Sequence, residues 1–180
     1  MRKVLFLLGQ VSDEDIEWML TVGRKEAVPK GRILISEGSD VDAVYIVLDG
    51  TLAVCVAALN NREINRLSSG EVVGEMSFVD ARPPSATVTA VEHSHVFAIP
   101  RAALANKLDQ DTGFAARFYR ALTLFLSDRL RSSVALLGYG DGQDFAAPGE
   151  YDEELNPHVL DSVHLAGSRF DGMLKRLRDK

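Results

Sequence analysis

The stretch GEMSFVDARPPSATV, residues 74–88, has a composition unlike the apolar runs on either side of it. Gly74 allows the backbone to approach a ligand closely, and a short helical turn after a glycine presents backbone N–H groups to an anion. Glu75 stands at the mouth of that turn, where its carboxylate could accept hydrogen bonds from a sugar hydroxyl. Arg82 and Ser85 add a cation and a hydroxyl donor near the same turn. The stretch therefore predicts a small anion-binding cradle.

Short apolar runs with strand character surround this cradle at roughly ten-residue spacing. They occupy residues 26–28, 32–35, 43–48, 51–56, 63–67, 72–73, 86–91 and 96–99. The pair Asp49-Gly50 between two of the runs is a strong hairpin signal, because it tolerates positive φ. Many short strands with frequent turns favour an antiparallel barrel over a parallel sheet.

Helical patterns flank the predicted strands. Ser12 followed by three acids is typical of a helix N-terminus, and Gly23 predicts the end of that helix. A short helix is predicted after Pro100, and a long one over residues 112–137, where apolar residues recur at spacings of three and four. The predicted fold class is mainly β with α: an antiparallel β-roll or jelly-roll barrel, flanked by an N-terminal helix and a short-plus-long C-terminal helix pair.

The apolar face of the long helix is wider than one contact with a barrel requires. Its apolar residues include Phe118, Leu122, Phe125 and Leu126. Either this is a broad face of the domain core, or a second surface is buried against a partner helix. The second interpretation predicts a homodimer through helix 112–137.

Composition limits the partners of the chain. It has 180 residues, with 20 Lys+Arg against 26 Asp+Glu and a net charge of −6. So acidic a chain argues against broad nucleic-acid binding, which needs a basic face to displace counterions. The single cysteine, Cys55, cannot form an internal disulfide and suits a reducing compartment. The apolar run 4–8 is too short for a transmembrane helix or a signal core, so we expect it to pack on the domain. These features predict a cytoplasmic protein with no nucleic-acid or membrane partner.

The last part of the chain has a different character. Residues 138–155 are rich in acids and glycine and predict a flexible acidic linker. Residues 156–180 then predict a C-terminal amphipathic helix with a basic end, which begins at Asn156-Pro157. Only 43 residues follow Leu137, with one recognisable helix, so we expect no DNA-binding domain there. The tail helix could dock on a partner protein or on its own barrel.

Two segments of the opening stretch together resemble a known motif. Gly74-Glu75-Met76-Ser77 and Pro83-Pro84-Ser85-Ala86-Thr87-Val88 are similar to the phosphate-binding cassette of the cyclic nucleotide-binding domain family. The flanking helices match that family, and turn glycines fall where its β-roll places them, at Gly31, Gly38, Gly50 and Gly70. The resemblance covers about residues 10–137 and implies that residues 1–137 form a cyclic nucleotide-binding-like domain.

The resemblance implies that a cyclic nucleotide, cAMP or cGMP, binds against the cassette. Family members use the glutamate, here Glu75, on the ribose 2′-hydroxyl, and they use cassette amides on the cyclic phosphate. The candidate site residues are then Val73, Gly74, Glu75, Met76, Ser77, Arg82, Ser85 and Ala86. Family members are ligand sensors that pass a conformational change to an attached output.

One position departs from the family pattern. An arginine normally stands nine residues after the glutamate, and here that position is Pro84. Removing one partner of a buried ion pair costs ~2–5 kcal/mol, which is roughly 30-fold to several-thousand-fold in affinity. Arg82 could replace the missing cation, although two prolines after it stiffen the loop.

These observations leave two functions open. One is a regulatory sensor of the cyclic nucleotide type, with weak or altered ligand binding and no DNA-binding domain. The other is a degenerate module that acts as a dimerisation or protein-docking unit. His93-Ser94-His95 resembles the His-x-His pair of cupin metal sites, but no glutamate follows at a suitable interval, so we expect no metal. No supported Ser/His/Asp or Cys/His arrangement is present, and we expect no enzyme activity.

Overall fold

The computed structural model describes residues 4–138 and 157–178 of the chain. Its strands are β1 Arg24–Val28, β2 Ile33–Ile35, β3 Ala43–Asp49, β4 Leu52–Val56, β5 Arg62–Leu67, β6 Val72–Val73, β7 Thr87–Ala90 and β8 Ser94–Pro100. They form two four-stranded antiparallel sheets, in the orders β1-β8-β3-β6 and β2-β7-β4-β5. The predicted antiparallel β-roll is confirmed, and every strand begins and ends within two residues of its predicted position. The hairpin predicted at Asp49-Gly50 was wrong, because β3 pairs with β6 and β8 whereas β4 pairs with β5 and β7, so this turn carries the chain from one sheet to the other.

The first sheet is covered on both faces. Ala43, Tyr45 and Val47 of β3 belong to the barrel core between the sheets, whereas Val44 and Ile46 belong to the cluster formed with the helices. Successive side chains of a strand point to opposite faces, so a strand covered on both faces needs an unbroken apolar run. The second sheet is more open, and its edge strand β5 has five exposed residues in a row.

The described helices lie mostly on the outer face of the first sheet. They are α1 Val4–Gln10, α2 Asp13–Val22, α3 Glu75–Asp80, α4 Arg101–Gln110, α5 Thr112–Gly138 and α6 Pro157–Arg178. A short 3₁₀ turn, Ala57–Leu59, follows β4. None of the helices in the two described ranges is long and apolar enough to cross a membrane.

A capping box joined to an ion pair holds α2 against α5. The Ser12 N–H donates to Asp15 Oδ2 at 2.7 Å, and the Asp15 N–H donates to Ser12 Oγ at 3.2 Å. The Arg117 guanidinium donates to both oxygens of the same carboxylate, at 2.7 and 3.0 Å. Burial raises the pKa of Asp15, but the hydrogen bonds from Arg117 and Ser12 outweigh it and hold that pKa below its ordinary value.

The broad apolar face of α5 is covered within the chain. Phe118, Leu122 and Phe125 are at most 7 % exposed, and α1 packs along α5. These three residues therefore belong to the core of the domain, which is the first of the two interpretations given for this face. Tyr119 and Leu130 remain exposed on the same helix. Homodimerisation through this helix stays a prediction.

The C-terminal helix α6 packs on α1. Its buried residues are Ala166, Phe170, Met173 and Leu177. The Arg169 guanidinium donates to the carbonyl oxygens of Leu8 at 2.7 Å and Val11 at 2.9 Å, at the C-terminal end of α1, and to Asp13 Oδ1 at 2.8 Å. The carbonyl groups at the C-terminal end of a helix have no hydrogen-bond donor within the helix, and Arg169 donates to two of them here. The tail helix therefore docks on the N-terminal helices of its own chain.

The predicted linker 138–155 lies outside the described residues, apart from its first member. Gly138 is the last residue of α5, and the acidic linker stays a prediction.

Candidate functional site

Residues 74–86 connect β6 to β7 and form one wall of the candidate site; we call this segment the cassette. Gly74 begins it with a φ of +86°, and a Cβ at this position would lie 2.9 Å from the Ala43 carbonyl oxygen. Both the backbone conformation and the lack of space require glycine. The Phe78 N–H donates to Gly74 O at 3.2 Å in the first turn of α3. Gly74 thus lets α3 begin directly after β6 and close to β3.

The loop after α3 is held by hydrogen bonds at both ends. The Arg82 N–H donates to Asp80 Oδ1 at 3.0 Å, next to Ala81, whose φ is +56°. Farther along, the Gly38 N–H donates to Pro84 O at 2.9 Å. The loop is therefore anchored to the connection between β2 and β3 through its main chain.

One cleft brings the candidate site residues together. Its volume of about 290 Å³ is at the low end of the usual range for ligand pockets, about 300–1,000 Å³. All eight candidate residues line it: Val73, Gly74, Glu75, Met76, Ser77, Arg82, Ser85 and Ala86. Their individual roles in binding a ligand stay predictions.

Apolar side chains from the strands line the rest of the cleft, and sequence analysis did not single them out. They are Ile35, Val54, Leu67, Val72 and Val88. The alternation of inward-facing residues along the strands was the signal that could have found most of them. An apolar wall beside a polar rim suits a ligand with a flat apolar part and a hydroxylated or anionic part.

The charges that line the cleft are unbalanced. Glu75 is buried, with 2 % exposure, and Asp80 adds a second carboxylate at the rim. Among the described residues that line the cleft, Arg82 is the one cationic side chain. Pro84 also lines the cleft, half-buried, and offers neither a charge nor an N–H donor. With two carboxylates and one cation, the lining of the cleft has a net negative charge, which disfavours the binding of a phosphate.

Arg101, the first residue of α4, supports the cassette and was missed by sequence analysis. Its Nη1 donates to Ser77 O at 2.8 Å, and its guanidinium lies over the Phe78 ring, 5.7 Å from the centroid. Phe78 in turn meets Phe118 of α5 edge to face, with centroids 6.0 Å apart. Arg101 and Ser77 are 24 positions apart in the chain, so no local pattern indicates their contact.

The two neighbouring histidines lie near each other at the start of β8. The rings of His93 and His95 have centroids 5.0 Å apart, and His95 Nδ1 is 3.2 Å from Asp49 Oδ2. Within residues 4–138 and 157–178, no group of three or more His, Cys, Asp or Glu side chains could hold a metal ion.

Comparison with known proteins bears on the whole β-roll. A family model, the cyclic nucleotide-binding domain, matches residues 25–111. A cAMP-dependent protein kinase regulatory subunit of Mucor circinelloides f. lusitanicus is 23 % identical over 167 residues, which cover 87 % of this chain and 38 % of the relative. A cyclic AMP receptor protein of Thermus thermophilus is 28 % identical over 97 residues, which cover 53 % of this chain and 45 % of the relative. The chain thus spans less than half the length of these two relatives.

A solved structure shows the same fold. The cyclic nucleotide-binding domain from Methylobacillus flagellatus aligns with a TM-score of 0.68 at 23 % identity, over 79 % of this chain and 85 % of that one. Residues 25–111 thus match the model of the cyclic nucleotide-binding domain family, and the solved structure shows that the chain shares the fold. The resemblance drawn from the cassette residues is confirmed.

Proposed function

We propose that this chain is a regulatory sensor that binds a cyclic nucleotide, cAMP or cGMP, weakly in the cleft beside the cassette. The observation that carries the proposal is the convergence of all eight candidate residues on one cleft of a domain of this family. Two relatives whose names refer to cAMP support the choice of ligand. The role is regulatory rather than catalytic.

In this proposal Glu75 recognises the sugar of the nucleotide. Its carboxylate accepts hydrogen bonds from the ribose 2′-hydroxyl, and its burial at 2 % exposure supports a role in a specific polar contact. The cyclic phosphate lies near Ser77, Ser85 and Ala86, and the base lies against the apolar wall.

The affinity is weak in this proposal because the cleft lacks a second cation. Arg82 alone is left to meet the phosphate, while Glu75 and Asp80 add negative charge. The same imbalance favours a second candidate function, in which the domain has lost its ligand and acts as a dimerisation or protein-docking unit. Pro84 carries that alternative, and the retained Gly74 and Glu75 argue against it.

Calorimetric titration of the full chain with cAMP and with cGMP, up to millimolar ligand, distinguishes the two functions. The sensor predicts saturable heat that Glu75→Ala abolishes and Glu75→Gln weakens. Glu92→Ala is the matched control, because Glu92 is an exposed acid in the turn between β7 and β8, outside the cleft. Arg82→Ala should weaken binding further if Arg82 meets the phosphate.

Absence of heat with either nucleotide, in a protein with a cooperative thermal transition, would refute the sensor and support the docking unit. Saturable heat that survives Glu75→Ala unchanged would also contradict the proposed site, since the ligand would then bind elsewhere.

The proposal extends to assembly and location. The protein is a cytoplasmic homodimer through helix 112–137, and it makes no use of nucleic acid, consistent with its net charge of −6. Because the apolar face of α6 is occupied by α1, a protein partner of the tail would have to displace that contact. A monomeric mass at tens of micromolar protein in sedimentation equilibrium would overturn the dimer.

A further inference from the structure

A second cavity adjoins the cassette, and the proposed function does not use it. Its volume is about 570 Å³, against about 290 Å³ for the cleft. The connection between β2 and β3, the end of the cassette and the start of α4 line it, and it is open to solvent. Its polar lining comes from Ser39, Asp40, Asp42, Ser77, Arg82 and Arg101.

Arg101 is held in place at the edge of this cavity. Its backbone N–H donates to Asp42 O at 2.7 Å, its Nη1 donates to Ser77 O at 2.8 Å, and its guanidinium rests on the Phe78 ring. A guanidinium carries several N–H donors, so one hydrogen bond to Ser77 leaves most of them available. The side chain is therefore already oriented before a ligand arrives, which lowers the entropic cost of binding.

The acids and arginines that line this cavity do not pair with one another. In the parts of the chain that the structure describes, no ion pair joins Arg82 or Arg101 to Asp40 or Asp42. The exposed Asp40, Asp42 and Arg82 and the half-buried Arg101 are thus not joined to one another by salt bridges. A ligand that carries both an anion and hydrogen-bond donors would complement these four groups.

We propose that this cavity is a binding site for a sugar phosphate. The planar guanidinium groups of Arg82 and Arg101 match the geometry of phosphate oxygens. The carboxylates of Asp40 and Asp42 accept hydrogen bonds from sugar hydroxyls, and Ser39 can donate to either part. Inorganic phosphate alone would meet repulsion from the two acids, and a free sugar would leave the arginines without an anion. A molecule that joins both groups uses all four charges.

The site overlaps the cleft at its border. Ser77, Arg82 and Pro83 line both cavities. A sugar phosphate that binds Arg82 occupies the cation that a cyclic phosphate would also use. Each ligand should therefore lower the affinity of the protein for the other, and by the same factor. This antagonism rests on the proposed function, whereas the sugar phosphate site does not.

Titration of the ¹⁵N-labelled full chain with ribose 5-phosphate, followed by amide NMR shifts, tests the site. We expect saturable shifts centred on residues 39–42 and 101–105. Arg101→Ala should weaken binding roughly tenfold or more, because it removes charge-assisted hydrogen bonds. Arg120→Ala is the matched control, since Arg120 is an exposed arginine of α5 outside the cavity, and it should change nothing. Inorganic phosphate and ribose should each bind more weakly than ribose 5-phosphate.

Arg101 also supports α3, so a second variant avoids dependence on that contact. The double change Asp40→Asn and Asp42→Asn leaves the arginines in place and removes the negative charge. It should strengthen binding of inorganic phosphate and reduce the preference for ribose 5-phosphate over phosphate. An unchanged preference would contradict the role of the two acids.

Three results would overturn the proposal. The first is no saturable shift with ribose 5-phosphate in the folded wild-type protein. The second is shifts centred on residues 73–76 and 85–86 that Glu75→Gln removes, since these would place the sugar phosphate in the cleft. The third is binding of a phosphoserine peptide at residues 39–42 and 101–105 without binding of ribose 5-phosphate, which would make the site a peptide site. A separate cAMP titration reports on the proposed function and can fail independently.

Discussion

Replacing Pro84 with arginine tests whether the absent cation sets the affinity of the cleft. Pro84 is half-buried and lines the cleft next to Ser85. Its main-chain carbonyl accepts a hydrogen bond from the Gly38 N–H at 2.9 Å. Any residue can accept that bond, so Pro84→Arg adds a guanidinium at the cleft without removing this contact.

The magnitude follows from the position of the side chain. Truncating one partner of a buried, hydrogen-bonded charge pair costs ~2–5 kcal/mol, which sets the upper bound of what an added arginine contributes. Because Pro84 is only half-buried, we expect the lower part of this range, about 2–3 kcal/mol, or roughly 30- to 150-fold tighter binding. If Arg82 already binds the phosphate in the wild-type protein, the gain in affinity from Pro84→Arg is smaller. The gain should therefore be larger in an Arg82→Ala background.

Calorimetric titration with cAMP and cGMP of Pro84→Arg, Pro84→Ala and the wild-type protein measures this effect. Pro84→Ala is the control, because it removes the ring and its stiffness without adding a charge. We expect Pro84→Arg to bind much more tightly than Pro84→Ala, and Pro84→Ala to resemble the wild type. If Pro84→Arg folds normally but binds no better than Pro84→Ala, the electrostatic explanation of weak binding is refuted.

Three further predictions concern the fold around the site. Gly74→Ala should destabilise the domain by ~1–2 kcal/mol, because its φ is +86° and its Cβ would crowd the Ala43 carbonyl; a urea midpoint that does not move would contradict this. Asp15→Asn should cost about 1–3 kcal/mol at neutral pH through the loss of the charged bonds to Arg117. Because the pKa of Asp15 is lowered on folding, this difference is complete above about pH 5 and shrinks as the pH falls through the folded-state pKa, which urea denaturation at several pH values can test. Arg169→Ala should speed hydrogen exchange of α6 amides while leaving β3 and β8 protected, since its three hydrogen bonds hold α6 to the end of α1 and the start of α2; unchanged exchange in α6 would show that apolar packing alone holds the helix.

The local elements of this fold could be predicted because their signals lie within a few residues. The N-cap at Ser12 and the periodicity of α5 are short-range patterns, and both helices lie where expected. Gly50 takes the expected positive φ of +87°, but the hairpin predicted there was wrong, since a local turn signal does not show which strands pair. Gly23 ends α2 as predicted but for a different reason. Its φ is −83°, and a Cβ there would lie 2.3 Å from Phe97 Cζ, so close packing against β8 requires the glycine. A single sequence cannot distinguish that reason from a left-handed helix end.

Contacts between distant parts of the chain could not be predicted. Arg169 reaches Leu8 across 161 positions, and nothing in the spacing of α6 residues indicates which surface its apolar face covers. For the same reason the width of the α5 face left two interpretations open, and only the packing of α1 on α5 accounts for the burial of Phe118, Leu122 and Phe125. The candidate site could be predicted more fully, since its polar residues lie in the cassette and its immediate neighbour. The apolar wall, Arg101 and the second cavity depend on how β2, β4 and α4 fold around that segment.

The two cavities beside the cassette divide its charges in a way that links the two proposals. The cleft is lined by an apolar wall, the buried Glu75 and Arg82. The second cavity is lined by Arg101, two acids and the same Arg82. One arginine cannot neutralise two phosphates at once, so in the wild-type protein each ligand should weaken the other by the same factor. An arginine at position 84 supplies the cleft with its own cation and leaves Arg82 to the second cavity. Pro84→Arg should therefore bind cAMP more tightly and also lose most of the antagonism by ribose 5-phosphate. Tighter cAMP binding with undiminished antagonism would mean that something other than competition for Arg82 couples the two cavities.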